Sequence, residues 1–323
     1  MAPANLVTSA RCDAGSRVSR LSKILSVRGF SRGQGVYDRM RIWLAAVASL
    51  SAILSAPALA DIDPLSGAPL PPTKEEIPSP ITDHFYALAG VFFISAKTHL
   101  RLDPNNAGPG VTGTPLDAEE QLGLPASLTQ GTAEVMFRMG ERSKVRLDYF
   151  EADRSGTATL ANDVVFGNQV FAAGTKVQSS LDLRLFGLIY TYSFYRSDRF
   201  EIGTGIGAYF VTVRAQGLNL TTNQSQTDSA ADPFPTLPLD FTWRISRRWA
   251  LTGHADYLKV NLNQFGGWLS NVHGDFQYRC NPNFALGLGY TSIRTRYDRS
   301  NGNFTGAFYM SFNGPEAFIR FSF

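Results

Sequence analysis

Residues 133–149, A-E-V-M-F-R-M-G-E-R-S-K-V-R-L-D-Y, hold two short runs of alternating side chains around one turn. Ala133, Val135, Phe137 and Met139 alternate with Glu134, Met136 and Arg138. Beyond Gly140–Ser143, Val145, Leu147 and Tyr149 alternate with Lys144, Arg146 and Asp148. A period of two sends successive side chains to opposite faces of a strand, so the stretch predicts an antiparallel hairpin with one apolar and one charged face.

The pattern recurs outward from there. Leu239, Phe241, Trp243 and Ile245 alternate with Asp240, Thr242 and Arg244, and Trp249, Leu251, Gly253, Ala255 and Tyr257 with Thr252, His254 and Asp256. Val272, Phe276 and Tyr278 alternate with His273, Asp275, Gln277 and Arg279. From Asp83 onward no apolar run has helical spacing, so the chain reads as all-β. Strands are expected at 84–97, 131–139, 144–154, 177–195, 200–214, 234–246, 249–262, 269–280, 284–297 and 304–323.

In a soluble sandwich the apolar face is the core, whereas in a membrane barrel it meets lipid. Three features favour the membrane. Tight turns at 140–143, 196–199, 246–248 and 281–283 alternate with long polar stretches at about 98–130, 155–176 and 215–232, the asymmetry of a transmembrane barrel. Trp243 and Trp249 flank one tight turn, and Phe194, Tyr195 and Phe200 another, as an interfacial girdle requires. Glycines 203, 205, 207, 287 and 289 share the polar-facing parity, where they leave room for bulky neighbours.

The remaining chain divides by composition. Of 323 residues 44% are hydrophobic and 18% charged, which argues against a disordered chain. The net charge of +3 is misleading, because residues 1–60 carry eight basic and two acidic groups, leaving 22 basic and 25 acidic beyond them. With a net charge of −3 over 61–323, no nucleic-acid partner is expected. Residues 40–60 have the charged start, apolar run and Ala58-Leu59-Ala60 ending of a signal peptide cleaved before Asp61. Residues 1–39 are then expected to be an upstream extension that is not translated, with the start at Met40, or not retained. Six prolines in 61–82 predict an extended tail ahead of a barrel at 83–323. Beyond the leader only Cys280 remains, so no internal disulfide is available.

The chain ends E-A-F-I-R-F-S-F, with Ile319, Phe321 and Phe323 on one face. Here it resembles the bacterial outer-membrane β-barrel proteins, whose last strand typically ends in Phe; the small porin-like barrels of the OmpW and OmpA type are the most similar. The resemblance implies a closed antiparallel transmembrane β-barrel in the outer membrane, exported by a cleaved signal peptide. It also implies lipid as a partner and Phe323 as the signal read by the assembly machinery. Ten strands are expected, with eight and twelve as neighbours, and Asn313–Pro315 is expected as a bulge inside one long final strand.

The inward parity collects Glu134, Arg138, Arg146, Asp148, Asp182, Arg184, Asp240, Arg244, His254, Asp256, Asp275, Arg279 and Arg320. Acids and bases nearly balance, so these are expected to pair and hold the lumen closed at rest. The expected role is passive: a porin-like conduit for small solutes, or a structural or surface protein. Two other classes stay open. His254 and Asp256 on one face would suit an outer-membrane hydrolase, with Ser270 as the nearest nucleophile by sequence. A soluble lipocalin-like barrel is the other. Gly203-x-Gly205-x-x-Ala208 matches a relaxed dinucleotide pattern but runs on as strand where that motif needs a helix. No cofactor or metal site is expected.

Overall fold

The computed structural model describes residues 77–104, 112–262, 265–299 and 305–323, all within a compact unit spanning Pro71–Phe323. The expected leader, its cleavage site and most of the proline-rich tail lie outside the described residues. Among the described residues the strands are β1 (Phe85–Leu102), β2 (Leu116–Asp117), β3 (Ser127–Met139), β4 (Ser143–Thr159), β5 (Val164–Phe166), β6 (Gln169–Phe171), β7 (Lys176–Arg196), β8 (Phe200–Asn219), β9 (Ser225–Arg244), β10 (Trp249–Leu262), β11 (Phe265–Asn281), β12 (Phe284–Arg299) and β13 (Gly306–Ser322). The ten long strands form one antiparallel sheet, each paired with its neighbour in the chain. It closes on itself where β1 pairs with β13, from Tyr86 opposite Ser322 to Leu102 opposite Gly306. Closure removes the two exposed edges that an open sheet leaves.

The tight turns at 140–142, 197–199, 245–248 and 282–283 share one end of the barrel with Phe85 and Phe323, here the turn end; the connections at 103–126 and 160–175 mark the loop end. Strands reach further toward the loop end than the alternation suggests. Residues 215–232, expected as a long loop, are mostly β8 and β9, laddered from Leu218–Ser225 to Thr212–Ala231. Ser225–Asp232, S-Q-T-D-S-A-A-D, has no apolar face, so only pairing to β8 makes it a strand. Asn313–Pro315 is also corrected. Tyr290–Pro315, Thr291–Gly314 and Ser292–Asn313 pair in unbroken register, so β13 contains no bulge there. The site is marked instead by close approach, since a Cβ on Gly314 would lie 1.8 Å from the Phe93 carbonyl oxygen.

Side-chain parity holds along the strands up to register shifts at the turn ends of β7 (Tyr192/Tyr195) and β11 (Arg279/Asn281), but the polarity of the two faces exchanges part-way up. On the outside of β7, Phe194, Tyr192, Tyr190, Leu188 and Phe186 give way to Arg184, Asp182, Ser180 and Gln178. β4 changes after Tyr149 to Glu151 and Asp153, β8 after Phe210 to Thr212 and Arg214, and β12 after Tyr290 to Ser292 and Arg294. The apolar outer faces therefore align as a belt around the turn-end half. Phe186 to Phe194 covers ~27 Å of strand at ~3.4 Å per residue, or about 21 Å of height at a strand tilt of about 40°, most of an apolar band ~25 Å tall.

Inside, the exchange runs the other way. Above the belt Phe92, Ile94, Phe150, Leu183, Leu185, Met310 and Phe312 meet in a dry core. Leu116, Leu122, Leu124, Val164, Phe166 and Phe171, from the loop end, extend that core across the top. Arg154 ties the loop down: its Nη1 donates to Glu119 Oε1 at 2.5 Å, while its guanidinium lies 5.2 Å from the Phe312 ring centre.

Candidate functional site

Polar side chains fill the turn-end half of the lumen, within the belt. Nearest the mouth, residues 77–82 turn inward, burying Ser79 and Ile81, and deliver Asp83 to two guanidiniums. Arg279 donates from Nη1 to Asp83 Oδ1 at 3.0 Å and from Nη2 to Oδ2 at 2.5 Å; Arg320 Nη2 donates to Oδ2 at 2.9 Å. A second fork joins Arg138 to Glu201 at 2.8 and 2.9 Å. Ser193 also donates to Glu201, at 2.5 Å, and Lys144 Nζ lies 3.8 Å away. Two-point pairing of this kind offsets much of the cost of burying charge.

Deeper in, Arg146 gathers three carboxylates: Asp148 at 3.1 Å, Asp240 at 2.8 Å and Asp256 at 2.6 Å. The Tyr209 hydroxyl stands 2.7 Å from both Asp148 Oδ2 and Asp256 Oδ2 and accepts from Asn271 Nδ2 at 2.8 Å. Room for that ring comes from Gly187, opposite Tyr209 in register, where a Cβ would sit 2.7 Å from it. On the facing wall His273 stacks on His254 with centroids 5.2 Å apart. Its Nε2 lies 3.1 Å from Asp275 Oδ2 and its Nδ1 2.8 Å from Thr291 Oγ1. Glu316 accepts from Thr291 and Thr132, and Glu134 from Tyr86. About 50 Å³ of free space remains among these groups, room for a few waters at ~10–15 Å³ each.

Eleven of the thirteen residues expected to face inward do so: Glu134, Arg138, Arg146, Asp148, Asp240, Arg244, His254, Asp256, Asp275, Arg279 and Arg320, with Arg244 at the rim. Asp182 and Arg184 are corrected to the outer surface. Their neighbours Leu181, Leu183 and Leu185 hold the inward positions because β7 is above the belt there and its lumen is dry. Arg184 pairs outside with Glu151 at 3.1 Å. The hydrolase arrangement is not assembled. His254 Nε2 is 4.0 Å from Asp256 Oδ2, beyond hydrogen-bond reach, and Ser270 has the outward parity of β11. Asp148, His254 and Asp256 bring ligand-type atoms within 4.8 Å of one another, but Arg146 already supplies the positive charge a cation would bring.

Asp83, Tyr86, Lys144, Glu201, Tyr209, His273 and Glu316 join the lattice in addition to the expected set. Lys144, Glu201 and His273 share the polar parity of their strands, a signal sufficient to find them. Asp83 precedes the first strand and Tyr209 carries an aromatic ring, so parity of charge alone passes over both.

Fold and belt define a transmembrane β-barrel of the bacterial outer-membrane type. No family model and no curated protein matches the chain. Among solved structures it is similar to the outer membrane protease OmpT from Escherichia coli, at 12% identity and a TM-score of 0.45 over 74% of this chain and 96% of that one. It is also similar to the monoaromatic hydrocarbon channel CymD, at 12% identity and 0.31 over 75% and 89%. The attachment invasion locus protein Ail of Yersinia pestis gives 8% and 0.30 over 72% and 99%. These likenesses concern the barrel fold alone.

Proposed function

We propose that the protein is a resident of the bacterial outer membrane whose lumen is shut at rest and whose work is done by the half that protrudes beyond the belt, as a structural or surface-interaction protein. One observation carries this reading: Phe92, Phe150, Leu183, Met310 and Phe312 pack across the lumen above the polar lattice and are each at most 5% exposed. Closure then rests on an apolar plug as well as on paired charge. Passage of a solute along the axis requires that plug to move, which for close-packed side chains is costly.

Planar-bilayer recordings test the reading. The unmodified protein is expected to give no steady conductance, and Phe150→Ala with Phe312→Ala to give frequent openings by removing two rings from the plug. A large steady conductance from the unmodified protein would establish the conduit role instead. Cell fractionation with a heat-modifiability gel tests the location, and removal of Phe323, whose amide donates to Phe85 O at 2.9 Å where the barrel closes, tests its proposed part in assembly.

A further inference from the structure

Two ladders of the wall stop well short of the loop end. β3 and β4 pair only from Met139–Ser143 to Thr132–Phe150, and there the loop after β2 fills the gap: a Cβ on Gly156 would lie 2.1 Å from the Gly123 carbonyl oxygen. β9 and β10 pair from Arg244–Ala250 up to Leu237–Tyr257 and then part, although β9 runs on to Ser225 against β8 and β10 runs on to Leu262 against β11. The cause of this second gap is local. Arg244 N donates to Arg199 O on the β8 side and Ile245 N to Trp249 O on the β10 side. Donors alternate along an antiparallel strand, so odd-numbered β9 residues face β10. Pro233 and Pro235 are odd, and proline has no N–H to give. The ladder thus lacks two successive donors where the outer face of β9, Pro233, Pro235, Leu237 and Leu239, lies at the top of the belt.

Side chains seal the seam from within. Phe234 is 3% exposed and reaches across to β11, where a Cβ on Gly267 would lie 3.2 Å from its ring. Behind it are three of the four buried acceptors that lack a hydrogen-bond partner among the described residues, Thr236 Oγ1, Asn271 Oδ1 and Asp256 Oδ1; the fourth, Asp275 Oδ1, lies nearer the turn end, opposite Thr252. Thr236 sits beside the seam. Asp256 pairs in register with Pro238, two residues along β9, and with Asn271 on β11. Buried acceptors of this kind normally meet a donor.

We propose that the β9–β10 seam is a side entrance through which a small membrane-dissolved molecule bearing a hydroxyl donor, such as an alcohol or phenol, reaches these acceptors. The route is independent of the axial path that the plug closes, so it stands whether or not the resting lumen conducts. Phe234 swings aside, the apolar body of the molecule takes its place, and the hydroxyl donates inward.

Thiol labelling in proteoliposomes tests this, with Cys12 and Cys280 both replaced by Ser. Thr236→Cys is expected to react with lipid-soluble N-phenylmaleimide at least tenfold faster than Leu183→Cys, which is equally buried but lies in a fully paired wall. Pro233→Thr with Pro235→Thr, restoring both donors, is expected to bring the rate down to that of Leu183→Cys. 1-Naphthol is expected to slow labelling more than naphthalene at equal concentration. Equal rates at the two cysteines, no effect of proline replacement, or equal protection by both aromatics would each overturn the proposal. Hydrogen exchange on the unmodified protein provides a reading free of folding defects: the amides of Lys259 and Asn261, which face the seam, should exchange faster than those of Leu183 and Leu185, and equal protection would count against the seam.

Discussion

Arg146 carries more of the lumen than any other single side chain, because three aspartates depend on one guanidinium. Arg146→Leu leaves those carboxylates without their counter-charge in a confined space, and breaking a buried pair in this way costs about 3–5 kcal/mol. Urea unfolding in lipid is expected to show that loss, with Arg146→Lys falling between, since a lysine keeps the charge but cannot fork. Gly187→Val is expected to cost about 1–3 kcal/mol by driving a methyl into the Tyr209 ring. The lattice is largely visible in the sequence as alternation of charge along β3, β4, β10 and β11. Its partners are not: Arg138 bonds Glu201, 63 residues away, and Arg279 bonds Asp83, 196 residues away. Parity says which face a side chain takes, while height and angle around the barrel decide what it meets.

Among the strands, β7 shows most clearly why two inward assignments fail. From Lys176 to Phe194 it keeps one parity, up to the register shift before Tyr195, but the outer face is apolar only from Phe186 to Phe194. Treating polar parity as inward is valid inside the belt and inverted above it, which puts Asp182 and Arg184 on the wrong side. The same strand supplies a contrast. Leu188→Arg, within the belt, is expected to destabilise by about 2–4 kcal/mol. Arg184→Leu, two outward positions higher and exposed, is expected to stay within about 0.5 kcal/mol. Equal costs at the two positions, read from urea unfolding in lipid, would place the belt edge elsewhere.

At the scale of the whole molecule, barrel class, strand number and closure by the C-terminal strand are legible in the sequence, because an apolar face repeated ten times with aromatic ends suits a closed barrel in lipid and little else. The plug is not, since Phe92, Met310 and Phe312 look locally like any other strand residues; only closure brings them together. The mouth is equally hidden, because a proline-rich run gives no hint that Asp83 will latch onto Arg279 and Arg320. Asp83→Ala is expected to free residues 77–82, seen as at least tenfold faster limited proteolysis there with unchanged β-sheet circular dichroism. Unchanged cleavage would show that the segment is held by Ser79 and Ile81 instead.

The exchange of polarity at Tyr149, Phe186, Phe210 and Tyr290 also fixes how deep the protein rides. A barrel apolar along its full height can bob in its bilayer at little cost. Here sinking by two residues would pull Glu151, Arg184, Thr212 and Ser292 below the surface together, and rising by as much would lift a ring of aromatics into water. The molecule is therefore held at one draught, like a hull with a painted waterline, and everything above that line keeps a constant height over the lipid.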